Sequence, residues 1–595
     1  MKLNSSQKKA VEGLGENRLI VAGPGSGKTL VLSKRYEYLV DEGIKPENIL
    51  LTAFNREAAE EFQERIDIDF DKHNSHVGTL HSIGRRIVRD NYKEVGFDKK
   101  PKTLTGYHRK KFAEKVGKKT VKKFTRQDNP NRGLVDDVVD VGLRNVDRNR
   151  RLLNEPEEAE EDIGFMTEEQ KSKMNTGFGR VKEIFSNGGF EYFYREYNKK
   201  QMKGDRIDYS AMLYLTLEVF QEDKDVRKKY DEKFEHILVD ECQDLNRLQY
   251  NIFKELCKDA GNVFMVGDSS QSIYKFRGSE IQILEDFVED FDAEEILLDT
   301  NYRCSPEITN AINKINDGMR EVRKKLLYSD RNSNENTVGF PKIKHAGPAK
   351  VADLVAKNIR ETYDPSQIAI LARTNRTLYD YQKQLEMKGV PTRNTKTNFI
   401  ELNDVRGAYG YARALEQKDG PAMEALLKWR HVYNIEEIKK NVPSDNNLYE
   451  FVKDLNLNND FIPKKKIQKL RRDFDYIEKL DENDPIGDFI ETKLSGYTDN
   501  VEALNDLYHS MGKEKFFDYM EIDREDKGVT LSTVHSAKGK EWPVVFVVEV
   551  DDGKFPRDDD PEEERVFYVA VSRAADRLYL SYNDEGSHFL NMIAK

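Results

Sequence analysis

The chain has 595 residues, of which 37% are hydrophobic and 34% charged, and its net charge is −11. A chain of this length is not expected to fold around one hydrophobic core, and its negative charge excludes a uniformly basic nucleic-acid coat, so that any contact with nucleic acid must come from a local patch or a groove. The three cysteines form no closely spaced pair, which excludes a zinc or disulfide framework, and the sequence has neither an apolar signal core nor a run long enough to span a bilayer, which predicts a cytoplasmic protein without a membrane partner.

Short apolar, β-branched runs recur along the chain in two sets, each run bounded by turn residues or helix-like stretches. The first set covers residues 18–23, 49–54, 236–240, 263–268 and 295–298. The second set covers residues 368–373, 529–534, 544–550 and 577–582. Runs of this kind are typical of buried parallel strands. The sequence therefore predicts an α/β fold with two parallel-sheet domains.

Two long polar stretches, residues 86–204 and 398–525, interrupt these sets and show no strand-like alternation. We expect both to be helical insertions. The predicted division of the chain is therefore a first domain at 1–85 and 205–300 with its insertion at 86–204, and a second domain at 301–397 and 526–595 with its insertion at 398–525.

Each insertion carries a local cluster of positive charge. Residues 99–132 hold 13 Lys or Arg residues against two acids, Glu114 and Asp128. The smaller cluster consists of Lys464, Lys465, Lys466, Lys469, Arg471 and Arg472. Such islands suit phosphate binding in an otherwise acidic chain. A solvated helix face is the alternative interpretation of both.

A phosphate-binding loop is the strongest local signal. Residues 22–29 read AGPGSGKT and stand between the apolar run at 18–23 and a helix-like stretch. Glycines let backbone N–H groups approach phosphates at a helix N-terminus. Lys28 would neutralise the β- and γ-phosphates of ATP, and Thr29 would hold Mg²⁺. The predicted loop residues are Ala22, Gly23, Pro24, Gly25, Ser26, Gly27, Lys28 and Thr29. A chance glycine-rich turn is disfavoured by this strand–loop–helix context.

A second signal is the run at 236–240, which delivers two acids at the carboxyl end of a predicted strand. Residues 236–244 read HILVDECQD. Ligands bind at this end of strands in open parallel sheets. Asp240 suits Mg²⁺, and Glu241 suits the base that activates the attacking water.

Further segments complete a series of motifs. Residues 266–279 read VGDSSQSIYKFRGS, residues 301–303 read NYR, residues 533–542 read TVHSAKGKEW and residues 562–574 read EEERVFYVAVSRA. With the two motifs above, and with Gln7 and TLHS at 79–82, they resemble in order the motifs of the UvrD/Rep/PcrA group of superfamily-one helicases. The resemblance runs from about residue 3 to about residue 580.

This resemblance implies two RecA-like motor domains with ATP hydrolysis in the cleft between them. It also implies 3′ to 5′ movement along single-stranded DNA, with unwinding at single-strand–duplex junctions, in DNA repair, replication or recombination. Proteins of those pathways are possible partners. The second insertion looks shorter than the family's usual version, and the chain stops soon after the last motif, which argues against a fused nuclease.

The resemblance also implies roles for single residues. Gln271 corresponds to the sensor of the γ-phosphate, and Arg303 and Arg573 to two arginines that reach that phosphate from the second domain. For the nucleotide, the resemblance implies that Gln7 reads adenine, Tyr302 stacks on it, and Glu541 lies near the ribose and the catalytic water.

The residues implied to contact DNA are of two kinds. Tyr274 and Phe276 correspond to aromatic side chains that stack on bases, an interaction that tolerates any sequence. For Tyr274 the alternative is ordinary core packing. Thr79, His81 and His535 correspond to residues that touch the strand.

Three positions depart from the family pattern. Leu30 replaces the arginine that usually covers the second face of adenine. Phe54 stands one place from the usual aromatic position, which on a strand points it to the other face. Lys540 replaces the usual leucine, and no role follows for it.

Two other functions fit parts of this pattern. A translocase that strips proteins from single strands would carry the same motifs, and a binding or regulatory subunit would carry them with a dead motor. The second is disfavoured because Lys28, Asp240, Glu241, Gln271, Arg303 and Arg573 are all present. RNA is a less favoured substrate, and the oligomeric state is open, with a monomer plausible.

Overall fold

The computed structural model of the chain describes residues 3–66, 76–104, 106–154, 174, 178–258, 262–275, 278–331, 342–344, 346–394, 528–583 and 585–594, with six isolated residues between 423 and 452. The chain forms two compact units: Met1–Gly339, Pro556–Asp576 and His588–Lys595 make up the first, and Phe340–Phe555 and Arg577–Ser587 the second. Apart from those isolated residues, the predicted second insertion, with its basic cluster at 464–472, lies outside the described residues.

A parallel sheet of six strands forms the centre of the first unit. In chain order the strands of this unit are β1 (Arg18–Ala22), β2 (Ile49–Ala53), β3 (His76–Thr79), β4 (Lys102–Leu104), β5 (Arg206–Asp208), β6 (His236–Val239), β7 (Asn262–Gly267), β8 (Glu294–Leu298), β9 (Thr300–Asn301) and β10 (Tyr328–Ser329). The sheet has the order β3-β2-β6-β7-β1-β8. All its pairs are parallel, so the carboxyl ends of β1, β2, β6 and β7 meet at one edge. The phosphate loop, Phe54, Asp240 and Asp268 follow directly from those four ends.

Helices cover this sheet and build the first insertion. They are α1 (Ser5–Val11), α2 (Lys28–Asp41), α3 (Arg56–Arg65), α4 (Leu80–Asp90), α5 (Gly106–Thr125), α6 (Arg132–Arg151), α7 (Phe178–Ile184), α8 (Phe190–Lys203), α9 (Tyr209–Glu222), α10 (Lys224–Asp231), α11 (Arg247–Leu256), α12 (Ile283–Phe291) and α13 (Pro306–Gly318). The insertion has its own core, to which Val116, Val138 and Phe193 contribute. The short parallel pair of β4 and β5 was not expected, because three residues per strand are too few to show a period.

The second unit contains a second parallel six-stranded sheet. Its elements are β11 (Lys342–Lys344), α14 (Pro348–Glu361), β12 (Ile368–Ala372), α15 (Asn375–Met387), β13 (Thr392–Asn394), β14 (Val529–Thr533), α16 (Val534–Ala537), β15 (Trp542–Val547) and β16 (Ala574–Tyr582). The strand order is β11-β16-β15-β12-β14-β13. Two more helices, α17 (Pro561–Val571) and α18 (His588–Ala594), belong to the first unit.

These sheets confirm the predicted α/β fold with two parallel-sheet domains. The exact domain boundaries stay a prediction: residues 301–339, 556–576 and 588–595, all expected in the second domain, belong to the first compact unit. In that unit the stretch after β8 packs on the phosphate loop, with the Tyr302 N–H donating to the Gly25 carbonyl at 2.9 Å. No helix among the described residues is long and apolar enough to cross a membrane.

Candidate active site

The phosphate loop has the backbone that its sequence predicts. Gly25 and Gly27 have φ of 67° and 86°, the left-handed region that favours glycine. A Cβ on Gly25 would lie 2.6 Å from the Cβ of Arg303, so the loop is also tightly covered. Helix α2 starts at Lys28, which places its unpaired N–H groups and positive dipole end at the loop. The loop is therefore shaped to hold an anion.

Lys28 is the cation of this loop. Its ammonium donates to the carbonyls of Ala22 at 3.2 Å and Gly23 at 3.4 Å. Burial lowers the pKa of Lys28, while the nearby carboxylates of Glu241 and Asp268 oppose that shift. An arriving phosphate would stabilise the charged ammonium in the same way as these carboxylates.

Asp240 and Glu241 lie beyond the end of β6, as the sequence predicts. The Asp240 N–H donates to the Thr52 carbonyl at 3.0 Å, which continues the strand pairing with β2. Glu241 has φ 49° and ψ 45°, a conformation that is uncommon outside glycine and asparagine and that clusters at functional sites. Its carboxylate accepts a hydrogen bond from the side-chain amide of Gln243. Gln243 in turn accepts from the Asp268 N–H at 2.9 Å through its amide oxygen.

Gln271 and Arg573 meet in the first unit although they are far apart in sequence. The amide nitrogen of Gln271 donates to the Asp268 carboxylate at 2.8 Å, and its amide oxygen accepts from Arg573 at 3.2 Å. Arg573 is 1% exposed and also donates to the Val569 carbonyl at 3.0 Å. Arg303 donates to the neighbouring Ser572 carbonyl at 3.1 Å. The structure thus brings together three of the predicted catalytic residues.

The two residues expected to bind adenine are held by one side chain, Asn4. Asn4 and Gln7 form a capping box at the start of α1. The Asn4 amide also donates to the Tyr302 hydroxyl at 2.7 Å. Gln7 is 2% exposed and donates to the Ser26 carbonyl at 3.1 Å. Since its amide still has a second hydrogen and a second lone pair, Gln7 keeps the capacity to pair with a base.

A cavity of about 580 Å³ runs from the carboxyl ends of β2 and β6 to the first insertion. Its lining includes Phe54, Thr79, His81, Asp240, Arg144 and Arg151. Thr79 caps α4, since its hydroxyl accepts from the Ser82 N–H at 3.3 Å. Burial and the charge of Arg151 lower the pKa of His81 to about 4, so its imidazole is neutral at neutral pH. The cavity therefore combines two arginines of α6 and a neutral imidazole with the acids Asp140, Asp147, Asp240, Glu241 and Asp244.

For the remaining residues that were expected to contact DNA, the structure tests the expectation less directly. Tyr274 is 8% exposed, and its ring stacks on Phe54 with centroids 5.1 Å apart. Phe54 thus covers one face of Tyr274, and the base-stacking role of Tyr274 stays a prediction. Phe276 lies outside the described residues. His535 in α16 and Glu541 before β15 belong to the second unit, and their roles also stay predictions.

Sequence reasoning missed several residues that hold this site in place. Gln243 and Asp268 lie inside the motifs, but nothing in their spacing gave them partners. Asn4 could have been found as a helix cap three residues before Gln7. Lys325, a buried partner of Asp268, lies in no motif, and no signal in the sequence pointed to it.

Comparison with known proteins bears on the whole chain. The model of the UvrD/Rep helicase N-terminal domain matches residues 3–292, and that of the UvrD-like helicase C-terminal domain matches 296–434 and 423–585. A protein of Staphylococcus epidermidis named ATP-dependent DNA helicase PcrA is 26% identical over 637 residues, covering 97% of this chain and 83% of that protein. A protein of the same name from Staphylococcus aureus is 26% identical over 639 residues, covering 98% of this chain and 83% of that protein.

The two domain models adjoin and together span the motifs from Gln7 to Arg573. They follow one another in the order in which the two parallel sheets follow one another along the chain. The chain therefore belongs to the UvrD/Rep/PcrA-like family of ATP-dependent DNA helicases.

Proposed function

We propose that this chain uses ATP hydrolysis to move 3′ to 5′ along single-stranded DNA and to unwind the duplex at single-strand–duplex junctions. The observation that carries the proposal is the meeting of Gln271 and Arg573 in the compact unit that also contains the phosphate loop and Glu241. Lys28 is a cation that can bind the phosphates, Glu241 a base that can activate water, and Arg573 an arginine that can stabilise the transition state. The work of this motor would belong to DNA repair, replication or recombination.

Each residue of the set has one task in the proposed hydrolysis. Lys28 binds the β- and γ-phosphates, and Glu241 takes the proton of the attacking water. Gln271 contacts the γ-phosphate, while Arg303 and Arg573 neutralise the charge that develops on it. One arginine placed in this way is worth about 10³–10⁵ in turnover in related phosphoryl transfers.

Thr29 and Asp240 fit Mg²⁺. One hydroxyl and one carboxylate are hard oxygen donors, and Mg²⁺ in nucleotide sites is held by one or two protein oxygens, with phosphates and water completing its shell. When bound, Mg²⁺ neutralises charge on the β- and γ-phosphates. Thr29 begins the first turn of α2 beside Lys28, and Asp240 begins the loop after β6.

The DNA-binding part of the proposal is supported by the cavity beside the acidic pair. Arg144 and Arg151 project into it from α6, and Thr79 and His81 from the start of α4. Arginines along a groove can bind a phosphate backbone without reading sequence. Of the acids in the same lining, Asp140 and Asp147 pair with Lys110 and Arg109. A strand bound there would lie next to Glu241, which suits coupling between DNA binding and hydrolysis.

The test is ATP turnover measured without nucleic acid and with single-stranded DNA, single-stranded RNA or blunt duplex DNA. We expect single-stranded DNA to stimulate turnover most. Arg144→Ala and Arg151→Ala should weaken that stimulation, while Arg195→Ala on the surface of the same insertion serves as the control. Equal stimulation by RNA and DNA would contradict the proposed substrate.

A further inference from the structure

Lys325 is a buried cation that the proposed mechanism does not use. Its side chain is 1% exposed, while its neighbours Leu326 and Tyr328 are 53% and 58% exposed. Lys325 and Leu327 alternate with the exposed Leu326 and Tyr328 and are buried. Leu327 lies close to the phosphate loop, since a Cβ on Gly23 would be 2.7 Å from its side chain. The segment therefore lies against the nucleotide site with Lys325 on its inner face.

The partner of Lys325 is Asp268, whose side chain is fully buried. The ammonium pairs with one carboxylate oxygen of Asp268 and donates to the Ser270 hydroxyl at 2.7 Å. The ring of Tyr568 covers it, with the ammonium 5.2 Å from the ring centroid. Burial alone would raise the pKa of Asp268, but the charges of Lys325 and Lys28 outweigh it and hold that pKa below its usual value. Asp268 is therefore ionised.

An ionised carboxylate can only accept hydrogen bonds and a guanidinium can only donate them, so Asp268 and Arg573 together determine how Gln271 is oriented. The two ends of its amide have nearly the same shape, so only the partners decide which end points where. Asp268 accepts from the amide nitrogen at 2.8 Å, which leaves the amide oxygen to face Arg573 at 3.2 Å. A protonated Asp268 could instead donate to the amide oxygen and so compete for it with Arg573, whose guanidinium has only donors.

We propose that Lys325 is a positioning residue for ATP hydrolysis, because as the buried ion-pair partner of Asp268 it keeps that carboxylate an acceptor for the Gln271 amide nitrogen and so leaves the amide oxygen to Arg573. The proposal rests on the γ-phosphate roles proposed above for Gln271 and Arg573. It does not depend on DNA or on the direction of movement. Lys325 itself need not touch the nucleotide.

A purely structural role is the competing interpretation, since removal of one partner from a buried ion pair is destabilising. The variants that separate the two are Lys325→Met, which keeps the length of the side chain without its charge, and the double variant Asp268→Asn with Lys325→Met. The double variant removes both members of the buried ion pair while Lys28 keeps Glu241 as a nearby carboxylate, but an asparagine can donate as well as accept and can compete with Arg573 for the Gln271 oxygen. Lys228→Met, at an exposed lysine of α10 that pairs with the exposed Glu232, is the control.

The first measurement is the affinity for Mg-ADP with and without aluminium fluoride. Together with ADP, aluminium fluoride mimics ATP in the transition state, in the place of the γ-phosphoryl group. For Lys325→Met we expect the affinity for ADP alone to stay within about twofold, and the gain from aluminium fluoride to fall by about tenfold or more, because only the latter involves Gln271. Turnover should fall by a similar factor with the KM for ATP nearly unchanged. Lys228→Met should match the parent protein.

The double variant decides the outcome where Lys325→Met alone does not fold. We expect it to fold, with a Tm near that of the parent, and to keep the weak response to aluminium fluoride. Recovery of both Tm and turnover in the double variant would show a structural role and overturn the proposal. An unchanged aluminium fluoride response in folded Lys325→Met would overturn it as well. Because binding is measured without DNA, a failure of the proposed translocation would be seen separately.

Discussion

At the scale of single residues, the proposed hydrolysis assigns charge neutralisation to Lys28 and proton transfer to Glu241. We expect Lys28→Ala to abolish ATP turnover but to leave the fold intact, because the loop is also held by the Ser26 hydroxyl, which donates to the Gly23 carbonyl at 2.8 Å. Glu241→Gln should bind Mg-ATP and hydrolyse it about 10²–10⁴ times more slowly, since an amide cannot take the water's proton. Steady-state turnover and equilibrium ATP binding measure the two effects.

Lys34→Ala is the matched control, since Lys34 lies on the same helix and pairs with Glu37 away from the loop. It should keep the turnover of the parent. Near-parental turnover in Glu241→Gln would contradict the assignment of Glu241 as the base, whatever the result for Lys28→Ala.

Leu30 makes the nucleotide site differ from the usual family pattern. It lies in the first turn of α2, within 3.8–3.9 Å of the space beside Gly27 that also borders the Gln7 amide. A leucine there gives apolar contact with adenine but no cation–π attraction, which is worth about 0.5–1 kcal/mol at exposed sites. We expect Leu30→Arg to lower the KM for ATP by a few-fold with turnover nearly unchanged, because a base contact is the same in the ground and transition states.

Leu30→Met is the control for this change, because it alters the shape of the side chain without adding a cation. A kinetic titration with ATP compares all three proteins. If Leu30→Arg leaves the KM unchanged or raises it, Leu30 does not face the base, and a different side chain covers that side of adenine.

Whether a residue of the candidate site could be predicted from the sequence depends on how far its partners lie along the chain. Lys28, Thr29 and Glu241 were predictable because one local strand–loop–helix or strand–loop pattern fixes each of them. Gln271 and Arg573 needed the family resemblance, since no spacing relates them. Lys325 escaped both routes, because its partner Asp268 becomes its neighbour only when the chain folds.

At the scale of elements, burial decided which strands the sequence could predict. The central strands β2, β6 and β12 are buried at every position and stand out as apolar runs. The edge strand β8 was predicted from its apolar run at 295–298, whereas the edge strands β3, β11 and β13 were not predicted. They have three or four residues each and include polar ones, because an edge strand has a neighbour on one side only.

Helix α5 carries most of the basic island at 99–132. Lys118, Lys119, Lys122 and Lys123 are exposed, whereas Arg109 is bound to Asp147 and Asp208 at 2.6 Å and 2.8 Å. We expect alanine at these four lysines to weaken DNA binding and to lower the log–log salt slope by about 0.7–0.9 for each DNA phosphate that the helix no longer neutralises. Alanine is also the best helix former, so the helix should persist.

Salt titrations of DNA affinity measure this slope, and ATP turnover without DNA should stay at the parental value. Alanine at Lys224, Lys228 and Lys229, exposed residues of α10, provides a control for the general effect of removing positive charge. Two of the four target lysines have local partners: Lys119 pairs with Glu196 at 3.3 Å, and Lys123 lies 4.0 Å from the ring of Tyr192. An unaltered slope would mean that α5 presents an ordinary solvated face.

At the scale of the whole molecule, the charge is arranged for a moving contact with DNA. A net charge of −11 disfavours binding over the general surface, so the strand is attracted only where cations are concentrated. The exposed face of α5 is such a place, and it belongs to the first unit together with Arg144 and Arg151, the proposed DNA contacts in the cavity. Contacts between cationic side chains and DNA phosphates do not depend on the base sequence, as a translocating motor requires.

The direction of movement is the property of the whole molecule that most needs a direct test. A motor that moves 3′ to 5′ approaches a duplex along the strand whose single-stranded part lies on the 3′ side of that duplex. We therefore expect ATP-dependent strand separation from a duplex with a 3′ tail, and little from a duplex with a 5′ tail or with blunt ends. Labelled strand release measures all three, and Glu241→Gln controls for melting by binding alone. Efficient unwinding from the 5′ tail, with none from the 3′ tail, would reverse the proposed polarity while leaving the assignment of the ATP site intact.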